Sequence, residues 1–370
     1  MTIVAVTGPF AHEVVVEAGA LASLGSRVRA TGAARVLLAV DRAIVASHGA
    51  RAHASLTAAG CATTMIELVA NEKEKTMPAV EALWSAALAA SLTRRDAFLA
   101  LGGGLVGDVV GFAAASYLRG VTLVQAPTTL LAMVDASTGG KTGINLRLPD
   151  GSLGKNLAGA FWPPAVVVAD PDTLSTLPDR EYRSGLAECI KHAIIDGEAH
   201  LAFLEASMSA IVARDPNAIA ALVARSVAVK AAVVSRDPRE AGERATLNLG
   251  HTFAHAFETL DGLDLLHGEA VAIGLMAAQR LAEAENPSDP ARRSLAARVE
   301  RLLVAARLPT SLPTPVAASA IEARMGFDKK SDGRGVRFVV PVAAGEVRYG
   351  VAVEGRSVRD ALAAIGASAS

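Results

Sequence analysis

Short apolar runs alternate with helical patterns in the first part of the chain, and this alternation limits the fold more than any other feature of the sequence. Strands are predicted at 34–40, 63–69, 96–101, 121–126 and 166–169. An amphipathic pattern at 77–90 predicts a helix between two of these strands. Strands that alternate with helices form parallel sheets, so we expect an α/β domain.

A glycine-rich turn follows the predicted strand at 96–101. Gly102, Gly104 and Gly107 satisfy the pattern Gly-x-Gly-x-x-Gly, with a strand before it and an apolar helix after it. Glycine lets the backbone approach a pyrophosphate, whose charge is met by amides at the helix N-terminus. Tight packing of the strand on the helix explains the same glycines without a ligand. The pattern also lies away from the first strand of the chain, where the dinucleotide fingerprint is usual, so both interpretations stay open at this point.

Two further positions in this part of the chain indicate ligand contacts. Asp41 follows the strand at 34–40, where an acidic residue binds a ribose hydroxyl in dinucleotide sites or caps the next helix. The cap is the simpler interpretation of Asp41 alone. Lys141 lies in the run Gly-Gly-Lys-Thr-Gly at 139–143, which lacks the upstream glycine of a P-loop. We therefore reject nucleotide hydrolysis and expect Lys141 to contact an anion.

The pattern becomes helical after Asp170-Pro171, a turn that we interpret as the domain boundary. At 370 residues the chain is long for one hydrophobic core. We therefore expect an α/β domain at 1–170 and a helical domain at 171–370. Helices are predicted at 181–195, 217–234 and 271–285, and one late strand at 336–340.

Histidines are concentrated in one stretch of the helical part. Three of the eight histidines of the chain, His251, His255 and His267, lie between residues 247 and 269. His251 and His255 share one face of a helix, and a turn at 261–262 allows His267 to return opposite His251. Neutral imidazoles are common zinc ligands, although histidines in this pattern also cap helices or pack in a core.

An acidic and a basic residue lie close together in an apolar helical segment earlier in the chain. Glu188 and Lys191 are three positions apart and share a helix face. Such a pair is usually solvated. The apolar residues that flank it predict partial burial here, and a buried charge needs a partner or a metal.

Composition excludes several classes of protein. The net charge is −1, so no broad basic face favours nucleic acid. Two cysteines, Cys61 and Cys189, make no disulfide framework. The N-terminus lacks a signal-peptide pattern, and no uncharged apolar run reaches the roughly 18 residues of a membrane span. We therefore expect a cytoplasmic protein that handles anionic substrates through local clusters.

Several sequence blocks are more specific together than any single motif. They are Gly-Gly-Gly-Leu-Val-Gly-Asp at 102–108, Ala-Pro-Thr-Thr at 126–129, Gly-Gly-Lys-Thr-Gly-Ile-Asn at 139–145, Gly-Lys-Asn at 154–156, Gly-Leu-Ala-Glu-Cys-Ile-Lys at 185–191, Asn-Leu-Gly-His-Thr-Phe-Ala-His-Ala-Phe-Glu at 248–258 and His-Gly-Glu-Ala-Val-Ala-Ile-Gly at 267–274. On these blocks the chain resembles the 3-dehydroquinate synthase family of the shikimate pathway, a branch of the sugar phosphate cyclases. The resemblance implies a Rossmann-like α/β domain with a parallel sheet, followed by an all-α metal-binding domain.

The resemblance also implies a role for individual residues. One zinc ion, with Co²⁺ as an alternative, is expected on Glu188, His251 and His267. NAD is expected on Asp41, Glu72, Lys75, Gly104, Leu105, Val106, Gly107, Asp108, Thr128, Thr129, Lys141, Lys155, Thr173, Leu174, Ser175 and Thr176. The substrate is expected on Asp135, Lys141, Asn156, Lys191, Lys230, Arg244, Asn248, His255 and Lys330. Arg119 is expected to reach the phosphate site of the neighbouring subunit in a homodimer.

The substrate of the family is 3-deoxy-D-arabino-heptulosonate 7-phosphate, which carries a carboxylate and a phosphate at opposite ends. The implied reaction is oxidation at C5 by NAD, elimination of phosphate, reduction at C5, ring opening and aldol closure. Zinc favours the oxidation by stabilising alkoxide character at C5. Lys230 and Arg244 suit the carboxylate. The residues that suit the phosphate are Lys141, Asn156, Asn248, His255, Lys330 and Arg119 of the neighbouring subunit.

Some features leave alternatives open. The link at 145–152 is longer than is usual in the family, which puts the placement of Lys155 and Asn156 in question, and the sequence does not decide between Lys329 and Lys330. A cyclase for sedoheptulose 7-phosphate has no substrate carboxylate, so Lys230 and Arg244 would be an unneeded desolvation cost there. A cyclase that makes an amino analogue of dehydroquinate fits the same residues. A metal-dependent polyol dehydrogenase shares the architecture but would release NADH.

Overall fold

The structure, a computed structural model, describes residues 1–149, 151–260, 262–327 and 336–369. The chain forms two compact units. The first comprises Met1–Pro178 and Ile219–Arg239, and the second comprises Asp179–Ala218 and Glu240–Ser370. The predicted domain boundary at residue 170 stays a prediction, because the two units describe how the chain packs and not which segments fold independently.

Regular elements cover most of both units. The strands, in chain order, are β1 (Thr2–Val6), β2 (His12–Val16), β3 (Arg35–Asp41), β4 (Ala62–Leu68), β5 (Ala97–Gly102), β6 (Thr122–Pro127), β7 (Lys141–Arg147), β8 (Leu153–Phe161), β9 (Val166–Ala169), β10 (Phe338–Ala343) and β11 (Glu346–Val351). The α-helices are α1 (Leu24–Ala30), α2 (Ala50–Ala58), α3 (Met77–Ala89), α4 (Gly104–Ser116), α5 (Asp179–Asp196), α6 (Glu198–Val212), α7 (Pro216–Arg236), α8 (His251–Glu258), α9 (His267–Glu285), α10 (Pro290–Ala305), α11 (Ala318–Phe327) and α12 (Gly355–Ala364).

A large sheet organises the first unit. Among the described residues its seven strands lie in the order β1-β2-β9-β6-β5-β3-β4. The pair β1–β2 is antiparallel, and every other neighbouring pair is parallel. In β3, Val36, Leu38 and Val40 pack into one hydrophobic cluster, while Leu37 and Ala39 pack into another. Successive side chains of a strand point to opposite faces, so both faces of this sheet are covered, as the continuous apolar runs predict.

The second unit is built around α9, which packs against α5, α8, α10, α12 and β10. Two glycines of α9 permit backbone contacts at very short range. A Cβ on Gly268 would lie 1.8 Å from the carbonyl oxygen of Ser184 in α5, and one on Gly274 would lie 2.3 Å from that of Gly250 before α8. The small residues therefore set how closely α5 and α8 approach α9.

The predicted fold class is confirmed, with differences in detail. The predicted strands of the first part correspond to β3, β4, β5, β6 and β9, and the helix at 77–90 to α3. The helical unit also contains the antiparallel hairpin β10–β11, and the strand predicted at 336–340 is β10. The sequence predicts no strand between 127 and 165, whereas the structure has the antiparallel hairpin β7–β8 there. Lys329 and Lys330 lie outside the described residues.

One helix of the described chain, α7, has the length and apolar composition to cross a membrane. Its most apolar window has a mean hydropathy of 1.8, and 56% of that window is buried in the protein. A mostly buried core helix has the same properties, so α7 alone is weak support for a membrane span.

We predict opposite effects for alanine at two helical glycines of the second unit. Gly274→Ala should lower the free energy of unfolding by about 1–3 kcal/mol, because the new methyl group overlaps the Gly250 carbonyl. Gly326→Ala in α11 is the matched control, because no described atom lies within 4 Å of its added Cβ. It should leave stability unchanged or raise it by up to about 1 kcal/mol. Urea unfolding of both variants measures the difference, and equal midpoints would contradict the packing described for α9.

Candidate functional site

Three residues that the sequence singled out as metal ligands lie together in the second unit. Glu188 is on α5, His251 is the first residue of α8, and His267 is the first residue of α9. Oε1 of Glu188 is 3.4 Å from Nε2 of His251 and 3.4 Å from Nε2 of His267. The three ligand atoms lie within 4.8 Å of one another. Helix and turn thus bring His267 back beside His251, as the spacing predicts.

The second nitrogen of each imidazole faces an acceptor. Nδ1 of His251 is 3.2 Å from the carbonyl oxygen of Leu249. Nδ1 of His267 is 3.2 Å from Oε1 of Glu258. These acceptors favour a hydrogen on Nδ1, which leaves the Nε2 lone pair of a neutral ring directed at Glu188.

The buried oxygen of Glu188 provides a test of whether a metal fits. Among the residues that the structure describes, Oε1 has no hydrogen-bond partner, and its 3.4 Å distances to the two imidazoles exceed the roughly 2.7–2.9 Å of a charged hydrogen bond. A fully buried carboxylate oxygen that faces two imidazole nitrogens at this spacing needs a cation. One carboxylate and two imidazoles are a ligand set that suits Zn²⁺ and leaves positions open. The residues present therefore fit the metal.

The pKa values of the three residues also indicate that a positive charge is stabilised beside Glu188. Burial opposes ionisation of Glu188, but Lys191, His251 and His267 outweigh it and hold its pKa well below the usual range. Burial also opposes the charged form of His267, yet Glu188 and Glu258 raise the pKa of His267 to about 10. Burial and Lys191 lower the pKa of His251.

Lys191 forms an ion pair with the other oxygen of Glu188. The side chains of Glu188 and Lys191 are 0% and 1% exposed. The pair is therefore buried more deeply than the apolar flanking residues predict. A carboxylate this deep in a helical unit persists because cations lie against it.

The first turn of α9 is fixed to α5 by polar contacts. Arg180 donates to both oxygens of Glu269, at 2.8 Å from Nε and 2.7 Å from Nη2. Glu269 also accepts from the backbone amide of Leu266 at 2.9 Å, and the amide of Gly268 donates to Oγ of Ser184 at 3.0 Å. The His-Gly-Glu sequence thus combines a candidate ligand, a close helix approach and a helix cap.

Three other residues expected to contact substrate belong to the same unit. The ring of His255 is exposed and lies edge-on to that of His251, with the centroids 5.4 Å apart. Asn248 donates from Nδ2 to Oε1 of Glu240 at 2.6 Å, which orients its amide. Arg244 is 2% exposed, in a 3₁₀ turn at Glu243–Asn248.

In the first unit, residues assigned to cofactor and to substrate share one polar network. Nζ of the buried Lys75 lies 2.5 Å from Oδ2 of Asp108 and 2.5 Å from Oδ1 of Asn156. Asn145 donates to Oε2 of Glu72 at 2.6 Å and accepts from the backbone amide of Asn156 at 2.8 Å. Asn156 therefore contacts Lys75 despite the longer link at 145–152. The backbone of Asn156 is in the left-handed region, with φ at +54°.

The glycine turn satisfies a packing requirement as well as the nucleotide pattern. A Cβ on Gly102 would lie 2.8 Å from Cγ2 of Val106, and one on Gly107 would lie 2.8 Å from Oε1 of Gln125. Gly104 is the first residue of α4. Leu105, Val106 and Lys75 help to line a cleft of about 250 Å³ between α3, α4 and the end of β4. Both the packing and the ligand interpretation have support here.

The remaining predicted residues of the first unit lie on several of its strands, helices and turns. Asp41 caps a short 3₁₀ turn through the amide of Ala43, so the capping role is present. Lys155 is 44% exposed and 3.7 Å from Glu72, and Lys230 is paired with Asp135 at 2.7 Å. Lys141 and Arg119 are exposed, while Thr128 and Thr173 are buried. The other predicted residues here are Thr129, directly after Thr128, and Leu174, Ser175 and Thr176 in the 3₁₀ turn Pro171–Thr176.

Sequence reasoning missed four residues that complete these sites. Glu258, Arg180, Glu240 and Asn145 each hold a predicted residue or its helix in place. Glu258 ends the block that contains His251 and His255, so its spacing gave a signal. The other three contacts join residues through tertiary packing or an unexpected hairpin.

Two family models match adjacent parts of the chain. The 3-dehydroquinate synthase N-terminal family model matches residues 65–184, and the 3-dehydroquinate synthase C-terminal model matches residues 185–331. The 3-dehydroquinate synthase of Symbiobacterium thermophilum is 43% identical over 91% of this chain and 92% of its own. That of Caulobacter vibrioides is 44% identical over 92% of each chain.

Solved structures show the same fold. The 2-epi-5-epi-valiolone synthase ValA of Streptomyces hygroscopicus, solved with NAD⁺ and Zn²⁺ bound, superposes with a TM-score of 0.85. It is 27% identical, and the match covers 97% of this chain and 98% of that one. By its family models and its relatives, the chain belongs to the 3-dehydroquinate synthase family.

Proposed function

We propose that the chain converts 3-deoxy-D-arabino-heptulosonate 7-phosphate to 3-dehydroquinate and phosphate, with NAD⁺ and one Zn²⁺ as cofactors. The observation that carries the proposal is the convergence of Glu188, His251 and His267 in a chain of this family. The activity is that of a carbon–oxygen lyase, because phosphate leaves by elimination. It belongs to aromatic amino acid biosynthesis, and we place the protein in the cytoplasm.

Glu188, His251 and His267 would hold the metal, with Co²⁺ as an alternative ion. Residues of the first unit would hold NAD⁺, including Lys75 and Asp108 of the polar network and the amides at the start of α4. Bound there, the metal would supply a Lewis acid for the substrate hydroxyls, and the nicotinamide would supply reversible hydride transfer.

Different polar residues of the chain would bind the two charged ends of the substrate. Arg244 and Lys230 suit the carboxylate of the substrate, with the guanidinium giving two parallel hydrogen bonds. Lys141, Asn156, Asn248 and His255 suit its phosphate. Lys191 is held against Glu188 and so keeps a positive charge beside the metal ligands. Because the substrate phosphate itself can accept the proton lost at C6, the chain contributes mainly positioning and electrostatic stabilisation.

Other activities make different demands on the same residues. A cyclase for an uncharged sugar phosphate leaves Lys230 and Arg244 without a carboxylate to bind. A cyclase that makes an amino analogue of dehydroquinate fits them equally well, and relatives named as 3-dehydroquinate synthases favour the main proposal over both. A polyol dehydrogenase requires net release of NADH, whereas the proposed reaction regenerates NAD⁺.

The direct test is incubation of the purified chain with the heptulosonate phosphate, Zn²⁺ and NAD⁺ well below the substrate concentration. We expect phosphate and the carbocyclic product in equal amounts, many turnovers for each NAD⁺, and no accumulation of absorbance from NADH. Sedoheptulose 7-phosphate and the amino analogue of the substrate serve as comparison substrates. Faster turnover of either one, or stoichiometric NADH, would replace the proposal with the corresponding alternative.

The ligand assignment predicts that metal and activity are lost together. Glu188→Ala and His251→Ala should each lose bound zinc and turnover, because each removes a ligand from a set of three. His53→Ala, at an exposed histidine of α2, is the control and should retain both. Metal content after gel filtration and initial rates measure the effect. Full zinc content in either ligand variant would show that the assignment is wrong.

We also propose a homodimer in which Arg119 of one subunit completes the phosphate site of the other. Arg119 is exposed in a turn where its φ is +69° and that of Leu118 is +51°. Arg119→Ala and His255→Ala should each be nearly inactive, because each removes a phosphate contact.

Mixed dimers of these two variants should recover activity, because one of their two sites has both residues. After random exchange, about a quarter of wild-type activity is expected. Two affinity tags confirm that heterodimers form, and sedimentation gives the oligomeric state. Heterodimers without recovered activity, or a monomer in solution, would contradict the shared site.

A further inference from the structure

Glu258 is a carboxylate beside the metal-ligand cluster that the proposed mechanism does not use. It is the last residue of α8, and its Oε1 lies 3.2 Å from Nδ1 of His267. Its side chain is 15% exposed, so the contact is partly shielded from water.

The position of Glu258 follows from the helix that carries His251. His251 begins α8 and Glu258 ends it, seven positions apart, which is close to two turns. The two side chains therefore lie on one face of α8. A single short helix thus supplies one candidate ligand and the carboxylate partner of another.

The two imidazoles have unequal partners behind them. His251 has the backbone carbonyl of Leu249 at its Nδ1, whereas His267 has a carboxylate. A carboxylate that accepts from the distal nitrogen fixes the tautomer and the ring orientation, and it makes the ligating nitrogen a better donor. A side-chain substitution can therefore alter the support of His267 while leaving that of His251 intact.

We propose that Glu258 is a positioning residue of the metal site, whose carboxylate keeps Nε2 of His267 directed toward Glu188 and strengthens binding of the divalent metal. This rests on the proposed function, because it requires Glu188, His251 and His267 to be ligands. The competing role is purely structural, in which the contact ties the end of α8 to the start of α9 and has no effect on metal affinity.

The test is zinc affinity of the full-length metal-free protein, measured by competition with a chromophoric chelator. Glu258→Gln keeps an oxygen acceptor but removes the charge, and Glu258→Leu removes both. We expect zinc dissociation constants to rise by about 10- to 100-fold, with the larger rise in Glu258→Leu. Glu283→Gln, at an ion pair with Arg280 on the same helix as His267, is the matched control and should bind zinc as the wild type does.

Two further measurements separate the possible outcomes. Thermal unfolding of the metal-free variants reports on a structural role, and the visible spectrum of bound Co²⁺ reports on ligand geometry. A changed Co²⁺ spectrum and weaker zinc binding in a folded Glu258→Gln protein support the proposal. Zinc affinity within about twofold of wild type overturns it, including when the melting temperature falls. Undiminished zinc binding by His267→Ala would instead overturn the ligand assignment of the proposed function.

Discussion

The burial of a single carboxylate, that of Glu188, determines the chemistry of the second unit. An ionised carboxylate with 0% exposure has lost its hydration and persists only where cations replace the water. Lys191 does so at one oxygen, and the imidazoles of His251 and His267 face the other. The result is one carboxylate oxygen and two imidazole nitrogens that face a common point, which is the arrangement that a divalent cation stabilises.

This arrangement depends on how closely three helices approach one another. Glu188 and His267 are far apart in sequence, so only the packing of α5 on α9 brings them together. Gly268 allows that packing, and Arg180 fixes the same turn through Glu269. Stability and ligand geometry are therefore coupled, because a side chain that separates the helices also separates the donor atoms.

How much of this could be predicted depends on the range of the interactions. The parallel sheet follows from local patterns. Apolar runs such as β3 predict strands that are buried on both faces, and such strands are typical of parallel sheets. The spacing of His251, His255 and His267 indicates a shared site, and the family resemblance adds Glu188. The hairpin β7–β8 is missing from the sequence prediction, although the Pro-Asp-Gly pattern at 149–151 favours a turn between its two strands. Asn145 ends one of the family blocks, but its contacts with Glu72 and Asn156 depend on the pairing of the hairpin and not on any local pattern.

The glycine turn shows why one motif does not establish a nucleotide site. One of its three glycines, Gly102, is required where α4 packs against the end of β5, because a Cβ there would overlap Val106 whatever the chain binds. Packing of the glycines does not explain the polar network beside them. In this network the buried ammonium of Lys75 pairs with Asp108 and contacts the amide oxygen of Asn156. Burial of the Lys75 ammonium has a desolvation cost. A network that positions polar groups for a cofactor explains why the chain tolerates that cost. The network therefore supports the proposed binding of NAD, and glycine in this turn would allow the close approach that such a ligand requires.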